Sequence, residues 1–486
     1  MVRGALFTYV RPEPAETPEL LGVSSRALKD LGLKAGEEKT AELQQLVAGN
    51  SISWTEESGG VYPWAQCYGA LNALGIPTTR ALSLTLLPKS KVLRERLEPG
   101  AIVARFAESW LRIGTFDLLR VRGERDLIRQ LSTYIAEEVF GGWEKLPSAF
   151  PIQTTQTIQD VDSNRFARLY REIVRRNAKT VAAWQAYGFM NGVLNTDNTS
   201  IYGLSLDYGP FAFMDNFDPS YTPNHDDHML RYSYKNQPSI IWWNLVRLGE
   251  SLGELLGAGN RVDDEVFVKD GVSADIEAEV IARAETIISQ AGEEFKAVFL
   301  NEYKRLMGQR LGLKTGKESD FQELFSEMLD TLEALELDFN HFFRRLSGLS
   351  VSGLETEEQR KEVASVFYHV DGFGGLGETD ESARARIAKW LDSWRARVLE
   401  DWGAGNDAER QAAMKAVNPN FVPRGWILDE VIERVERKGD REILDRVMQM
   451  SLDPFKDSWG LNAAEEERFC GDVPKYKRAM MCSCSS

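Results

Sequence analysis

The stretch SNRFARLYREIVRRNAKTVAAWQ, residues 163–185, limits the possible folds more than any other part of the chain. Phe166, Leu169, Tyr170, Ile173, Val174, Val181 and Trp184 recur at helical spacing, which predicts a helix with one buried face. That helix hands the chain to GVLNTDNTSIYGLSLDYGP, residues 192–210, where turn-forming residues are followed by an alternating apolar pattern at Ile201, Leu204 and Leu206. The second stretch reads as a short hairpin.

Around this pair the character of the chain changes once. Before about residue 260, strand-like pieces such as AIVARF (101–106) alternate with helical ones such as ERDLIRQLSTYIAEEVF (124–140). QPSIIWWNLVRLGESLGELL then reads as a helix with Trp242 and Trp243 serving the core, and from Ser273 to Trp402 almost everything has helical period. With 486 residues, 43% of them hydrophobic, the chain can bury a large core divided over two or three domains. The reading is α+β.

A formal net charge of -16 argues against a general binder of nucleic acid or anionic membrane. No apolar run reaches the roughly 18 residues that a membrane-spanning helix needs. Four cysteines, Cys67, Cys470, Cys482 and Cys484, exclude a disulfide scaffold in a chain this long. The first residues place Arg3 and Arg11 among Glu13, Glu16 and Glu19, which fits neither a secretory signal nor an acidic-poor presequence.

The hairpin sets Asp197 and Asn198 side by side and follows them with Asp207-Tyr208-Gly209. Asp and Asn cap backbone groups in turns for local reasons, so a plain surface hairpin is one reading. In the other, Asn198 and Asp207 converge on a hard cation such as Mg2+, with nucleotide phosphates completing its shell, and Asp197 is left to act as a base. Protein kinases divide the work this way, and Asp207-Tyr208-Gly209 looks like a variant of their Asp-Phe-Gly motif. His225 and His228 with Asp226 and Asp227 form a weaker metal pattern, for which a structural role in the following loop is the better reading.

WQAYGFMNGVLNTDNTSIYGLSLDYGPFAFMDNFDP, continuing through NHDDHMLRYSYKNQPSIIWWNLVRL, closely resembles the signature of the selenoprotein O family, kinase-like proteins regarded as protein adenylyltransferases. The likeness extends to LFTYVRPEPAETPELLGVSS, GIPTTRALSL, ARFAESWLRIGTF and NPNFVPRGWILDEVIERVERKGD, and the pattern is most like that of fungal mitochondrial members. The resemblance implies a protein-kinase-like fold and transfer of AMP from ATP to Ser, Thr or Tyr hydroxyls of protein substrates, with ATP and Mg2+ required. It implies Asp197 as proton acceptor, Asn198 and Asp207 as Mg2+ ligands with Asp207 also close to ATP, and Arg105 and Arg112 on the ATP phosphates. Read from the residues alone, these two arginines are ordinary surface or ion-pairing groups. The terminal Cys482-Ser483-Cys484 resembles the family's redox tail, in which some members carry selenocysteine where Cys484 stands, and a disulfide partner through Cys482 or Cys484 follows from that likeness. A mitochondrial location is implied in the same way.

The chain departs from the family pattern in one block. Relatives carry a glycine-rich nucleotide loop and an ATP-contacting Lys between the segments that match YPWAQCYG and ALNALGIPTTRAL. Here Gly69 is followed directly by Ala70, and no Lys occurs from residue 40 to residue 88. The expected organisation is therefore a truncated N-lobe-like region (1–120), a kinase-like core with the Mg2+ site (121–260), an α-helical region (261–470) and a Cys tail (471–486). The loss of a phosphate cradle raises a second reading, a catalytically impaired or inactive shortened isoform that acts through binding and its redox tail.

Overall fold

Three antiparallel strands, β1 (Glu19–Val23), β2 (Arg80–Leu93) and β3 (Leu97–Phe106), form one sheet in that order. In this computed structural model residues 14–51, 69–93, 97–146, 164–368 and 379–482 are described. The sheet packs Leu82 and Ala104 against Ala27, Leu28, Leu43 and Val47 of two short preceding helices. β3 contains the AIVARF stretch and ends one residue past Arg105, which pairs with Ala81 on β2.

Beyond the sheet the chain is mostly helical. Helices α1 (Ile113–Arg122), α2 (Arg125–Tyr134) and α3 (Arg165–Tyr187) lead into a two-stranded ribbon of β4 (Phe189–Asn191) and β5 (Phe211–Phe213). There follow α4 (Gln237–Ser251), α5 (Glu277–Arg310), α6 (Phe339–Gly348), α7 (Asp380–Trp402), α8 (Gly425–Lys438) and α9 (Arg441–Leu452). The helix expected over 124–140 is α-helical only to Tyr134 and finishes as a wider π turn over Ile135–Val139. No described helix is long and apolar enough to cross a membrane.

α3 corrects its own sequence reading. One buried face was expected, but the helix is buried nearly all round, because α5 lies along one side and the 192–210 loop crosses another. Its charged residues are accommodated in the core: Arg171 and Arg175 both pair with Glu294 of α5. Its C-terminus stops at Gly188, whose φ of 66° and close approach to the Phe339 ring leave no room for a side chain. A contiguous core then runs from Leu71 to Val422, with a smaller cluster of Trp426, Ile427, Val447 and Phe469 under α8 and α9.

Two further readings change. Trp242 packs against Phe295, as a core residue should, but Trp243 is 46% exposed and carries the Arg231 and Arg247 guanidiniums over its ring. Neighbours on a helix point about 100° apart, so one narrow face cannot take both. The segment expected as a hairpin is held instead by isolated bridges, Thr199 to Ser205 and Thr78 to Ser205, and the regular pairing is between β4 and β5 on either side of it.

Fully buried Arg424 ties three distant segments together. It donates to Asp215 just after β5 (3.0 Å) and to Asp338 at the start of α6 (2.8 Å), while Asp215 also accepts from the backbone N–H of Ala479 (3.1 Å). Burial alone would raise the Asp338 carboxyl, but Arg424 and His341 outweigh it and hold that group well below the usual carboxylate range. A carboxyl depressed in the folded state stabilises the fold above its unfolded value near ~3.9 and loses that contribution as pH falls through the folded value. Arg424→Met takes the shared guanidinium away from two buried carboxylates, so urea unfolding at pH 7 should show a loss of about 3–5 kcal/mol. The gap between mutant and wild type should narrow below pH ~4, because protonation of the carboxyls removes the uncompensated charge.

Candidate active site

The ribbon of β4 and β5 brackets the 192–210 loop, and buried polar side chains pin the loop from beneath. Asn177 of α3 donates to the Ser200 carbonyl (3.0 Å), Thr180 to the Gly203 carbonyl (2.5 Å) and the Trp184 indole N–H to the Ser205 hydroxyl (2.8 Å). From α4, Asn244 donates to the Leu194 carbonyl (3.0 Å) and the Thr199 hydroxyl (2.8 Å). The helix face that carries these residues therefore serves as a polar template for a loop with little ladder pairing of its own.

On that template, Thr196–Asn198 forms one 3-10 turn, capped by the Asn195 side chain accepting from the Asn198 N–H (2.9 Å). The Asn198 carboxamide nitrogen donates to the Val193 carbonyl (3.0 Å) and to Asp207 Oδ2 (3.1 Å). Both of its donor positions are used, which leaves the carboxamide oxygen to act as a ligand. Asn191 holds the other side by donating to the Asp207 carbonyl (3.1 Å). Tyr208 turns inward, with its ring against Phe189 and Phe211 and its hydroxyl on Thr78, and burial pushes its pKa further up, so it stays neutral.

Across the cleft, Arg112 stands at the N-cap of α1 with Nη1 3.9 Å from Asp197 Oδ1. Arg105 donates to the Leu206 carbonyl (2.5 Å), and its guanidinium lies 4.6 Å from the centre of the Trp110 ring. Arg105, Trp110, Arg112, Asp197, Asn198, Leu206 and Asp207 line one open cleft of about 600 Å³. The five residues that the resemblance assigned to proton transfer, Mg2+ and ATP thus line one cleft. Trp110, Asn191 and Asn244 were missed. Only Trp110 carried a signal, its position between the two arginines in RFAESWLR.

Other expected clusters do not form sites of this kind. His225 pairs with Asp226 at the surface, while Asp227 accepts from the N–H groups of Arg231 (2.9 Å) and Tyr232 (2.7 Å), a loop-forming role. Among the described residues, metal-like spacing occurs at Asp338, His341 and Asp472, but Arg424 and Arg345 already neutralise the two carboxylates there. Cys470 is a free thiol, and burial pushes it up to about 12. The Cys482 backbone pairs with Pro223 and His225; Cys67 and Cys484 lie outside the described residues.

Two oxygen donors, two guanidiniums and a separate exposed carboxylate suit a polyphosphate held together with a divalent cation, which is the equipment of a phosphate-handling transferase. Comparison with known proteins narrows that class. The family described as protein adenylyltransferase SelO matches residues 65–452. A mitochondrial protein adenylyltransferase SelO of Schizosaccharomyces pombe is 36% identical over 548 aligned residues, covering 99% of this chain and 92% of that protein. Its counterpart in Saccharomyces cerevisiae is 34% identical, covering 86% and 73%, and a protein nucleotidyltransferase YdiU of Klebsiella pneumoniae is 32% identical, covering 91% and 80%. The chain belongs to the SelO family of protein adenylyltransferases.

Asn244 is fully buried, and its loss leaves the Leu194 carbonyl without that donor. Asn244→Ala should lower stability by about 1–3 kcal/mol in urea titration, and hydrogen exchange should rise first in residues 193–199.

Proposed function

We propose that this chain is a Mg2+-dependent protein adenylyltransferase that uses ATP to place AMP on Ser, Thr or Tyr hydroxyls of protein substrates. The observation that carries the reading is that Asp197, Asn198, Asp207, Arg105 and Arg112 line a single cleft. Asn198 and Asp207 offer hard oxygen donors, which fit Mg2+ and not a softer ion. When bound there, the ion neutralises charge on the ATP phosphates. Arg105 and Arg112 bind phosphate oxygens and stabilise the charge that grows as the reaction proceeds.

The acceptor hydroxyl oxygen attacks the α-phosphorus, a new O–P bond forms, and the bond from the α-phosphorus to the bridging oxygen breaks to release pyrophosphate. Asp197 takes the hydroxyl proton, a role that contributes ~10²–10⁴-fold in enzymes of many kinds. Arg105 is held for its task by Trp110 and the Leu206 carbonyl, which limits the freedom it would lose on binding phosphate.

The fold that accompanies this reading is kinase-like, with a truncated N-lobe-like region over 1–120, the catalytic core over 121–260, a helical region over 261–470 and a redox-type tail of Cys482 and Cys484 over 471–486. The relatives' names also carry the mitochondrion as compartment. One observation favours a second reading, an impaired isoform that acts by binding. The alignment to the Schizosaccharomyces pombe protein has 548 positions against 486 residues here, so that relative carries residues which this chain lacks.

Incubation with ATP labelled at the α-phosphate, Mg2+ and mitochondrial protein separates the two. Under the proposal, wild type transfers label, Asp207→Ala transfers none, and Asp197→Ala loses about 10²–10⁴-fold in rate while still binding Mg·ATP. Absence of transfer by the wild-type chain would leave the binding reading in its place.

A further inference from the structure

We propose that Gly114 is a positioning residue, which by lacking a side chain gives the Asp197 carboxylate its seat. The inference rests on the reading of Asp197 as the base.

The start of α1 is stitched to the residues after Asp197. The Ile113 N–H donates to the Thr199 carbonyl (3.0 Å), the Ile201 N–H donates to the Leu111 carbonyl (3.0 Å), and Arg112 pairs with Ser200 between them. This register sets Gly114, the second residue of the helix, directly against Asp197. A Cβ on Gly114 would lie 2.3 Å from Asp197 Oδ1, 2.9 Å from its Cγ and 3.4 Å from its Cα. The carboxylate thus fills the volume that any other residue at position 114 would occupy.

The backbone does not ask for glycine here. Gly114 is absent from the residues with positive φ and sits inside a helix, where glycine is a poorer choice than alanine. The reason for glycine is therefore the close approach. Its surroundings also suit an anion: the first turn of a helix presents unpaired N–H groups and the positive end of the dipole, and Arg112 Nη1 stands 3.9 Å from the same oxygen.

Displacement would be easy for the fold and harmful to the chemistry. The Asp197 side chain is 64% exposed, so an added methyl group pushes it outward into solvent without disturbing the core. A base must stand within about 2.6–3.2 Å of the proton it abstracts. Relief of a 2.3 Å contact moves Oδ1 by close to an ångström, and a misplacement of that size costs on the order of 10²-fold in rate.

The test compares Gly114→Ala with Gly348→Ala, a control on α6 with nothing within 4 Å of the added methyl group. For Gly114→Ala the expected result is an unchanged or higher melting temperature, an unchanged KM for ATP and a kcat lower by about 10²-fold, with Gly348→Ala behaving as wild type. Crystal structures of wild type and Gly114→Ala should show the Asp197 carboxylate moved away from α1. An unmoved carboxylate, or a moved one with unchanged kcat, overturns the proposal. If wild type transfers no label, displacement of Asp197 in the crystal still upholds the seat, and what fails is the assignment of Asp197 as the base.

Discussion

The 3.1 Å hydrogen bond from the Asn198 carboxamide to Asp207 is the contact that the rest of the candidate site depends on. The two residues are nine positions apart on a loop with almost no regular pairing, and left to itself such a loop would spend conformational entropy to bring them together. The structure removes that freedom in advance. Asn177, Thr180 and Trp184 of α3 and Asn244 of α4 take hydrogen-bonding groups of the loop from below, and β4 pairs with β5 where the loop begins and ends. Each of those side chains is buried, so its hydrogen bond is costly to leave unmade and fixes the loop geometry firmly.

Charge is handled in two ways in this acidic protein. In the interior, guanidiniums act as ties: Arg424 spans Asp215 and Asp338, Arg171 and Arg175 share Glu294, and Arg310 is met by Asn418, Asn340, the Ala186 carbonyl and the Phe343 ring. Burial pushes Arg310 down to about 10, still high enough to keep it charged at neutral pH. In the cleft, Arg105 and Arg112 are aimed by an aromatic ring, a carbonyl and a helix start, and their side chains stay accessible to a ligand. Two cations held in the open beside two carboxylates are suited to phosphate oxygens on one side and a cation on the other.

Much of this was legible in the sequence where the signal is local. Phe166 to Trp184 announced α3 through its period and AIVARF announced β3, whereas the Asp197, Asn198 and Asp207 spacing fitted a plain surface hairpin as well as a cation site, and it was the family resemblance that joined them. What could not be read depends on contacts far apart in the chain. The burial of α3 all round needs α5, more than a hundred residues later, and the exposure of Trp243 beside core-facing Trp242 depends on which way α4 is rotated. Asn244 looked like an ordinary helix position and Gly114 carried no signal, because Gly114 meets Asp197 across 83 residues and Asn244 meets Leu194 across 50. The hairpin reading of 192–210 survives only as the single antiparallel bridge of Thr199 with Ser205, since Asn177 and Thr180 of α3 take the Ser200 and Gly203 carbonyls.

The central claim is that Asn198 and Asp207, with Arg105 and Arg112, still hold Mg·ATP although the chain lacks a Lys from residue 40 to residue 88. Isothermal titration of ATP into the full chain, with Mg2+ and then with EDTA, tests it most directly. The account predicts saturable binding that requires Mg2+ and disappears in Asp207→Ala. Equal affinity in EDTA, or no binding at millimolar ATP, would contradict it.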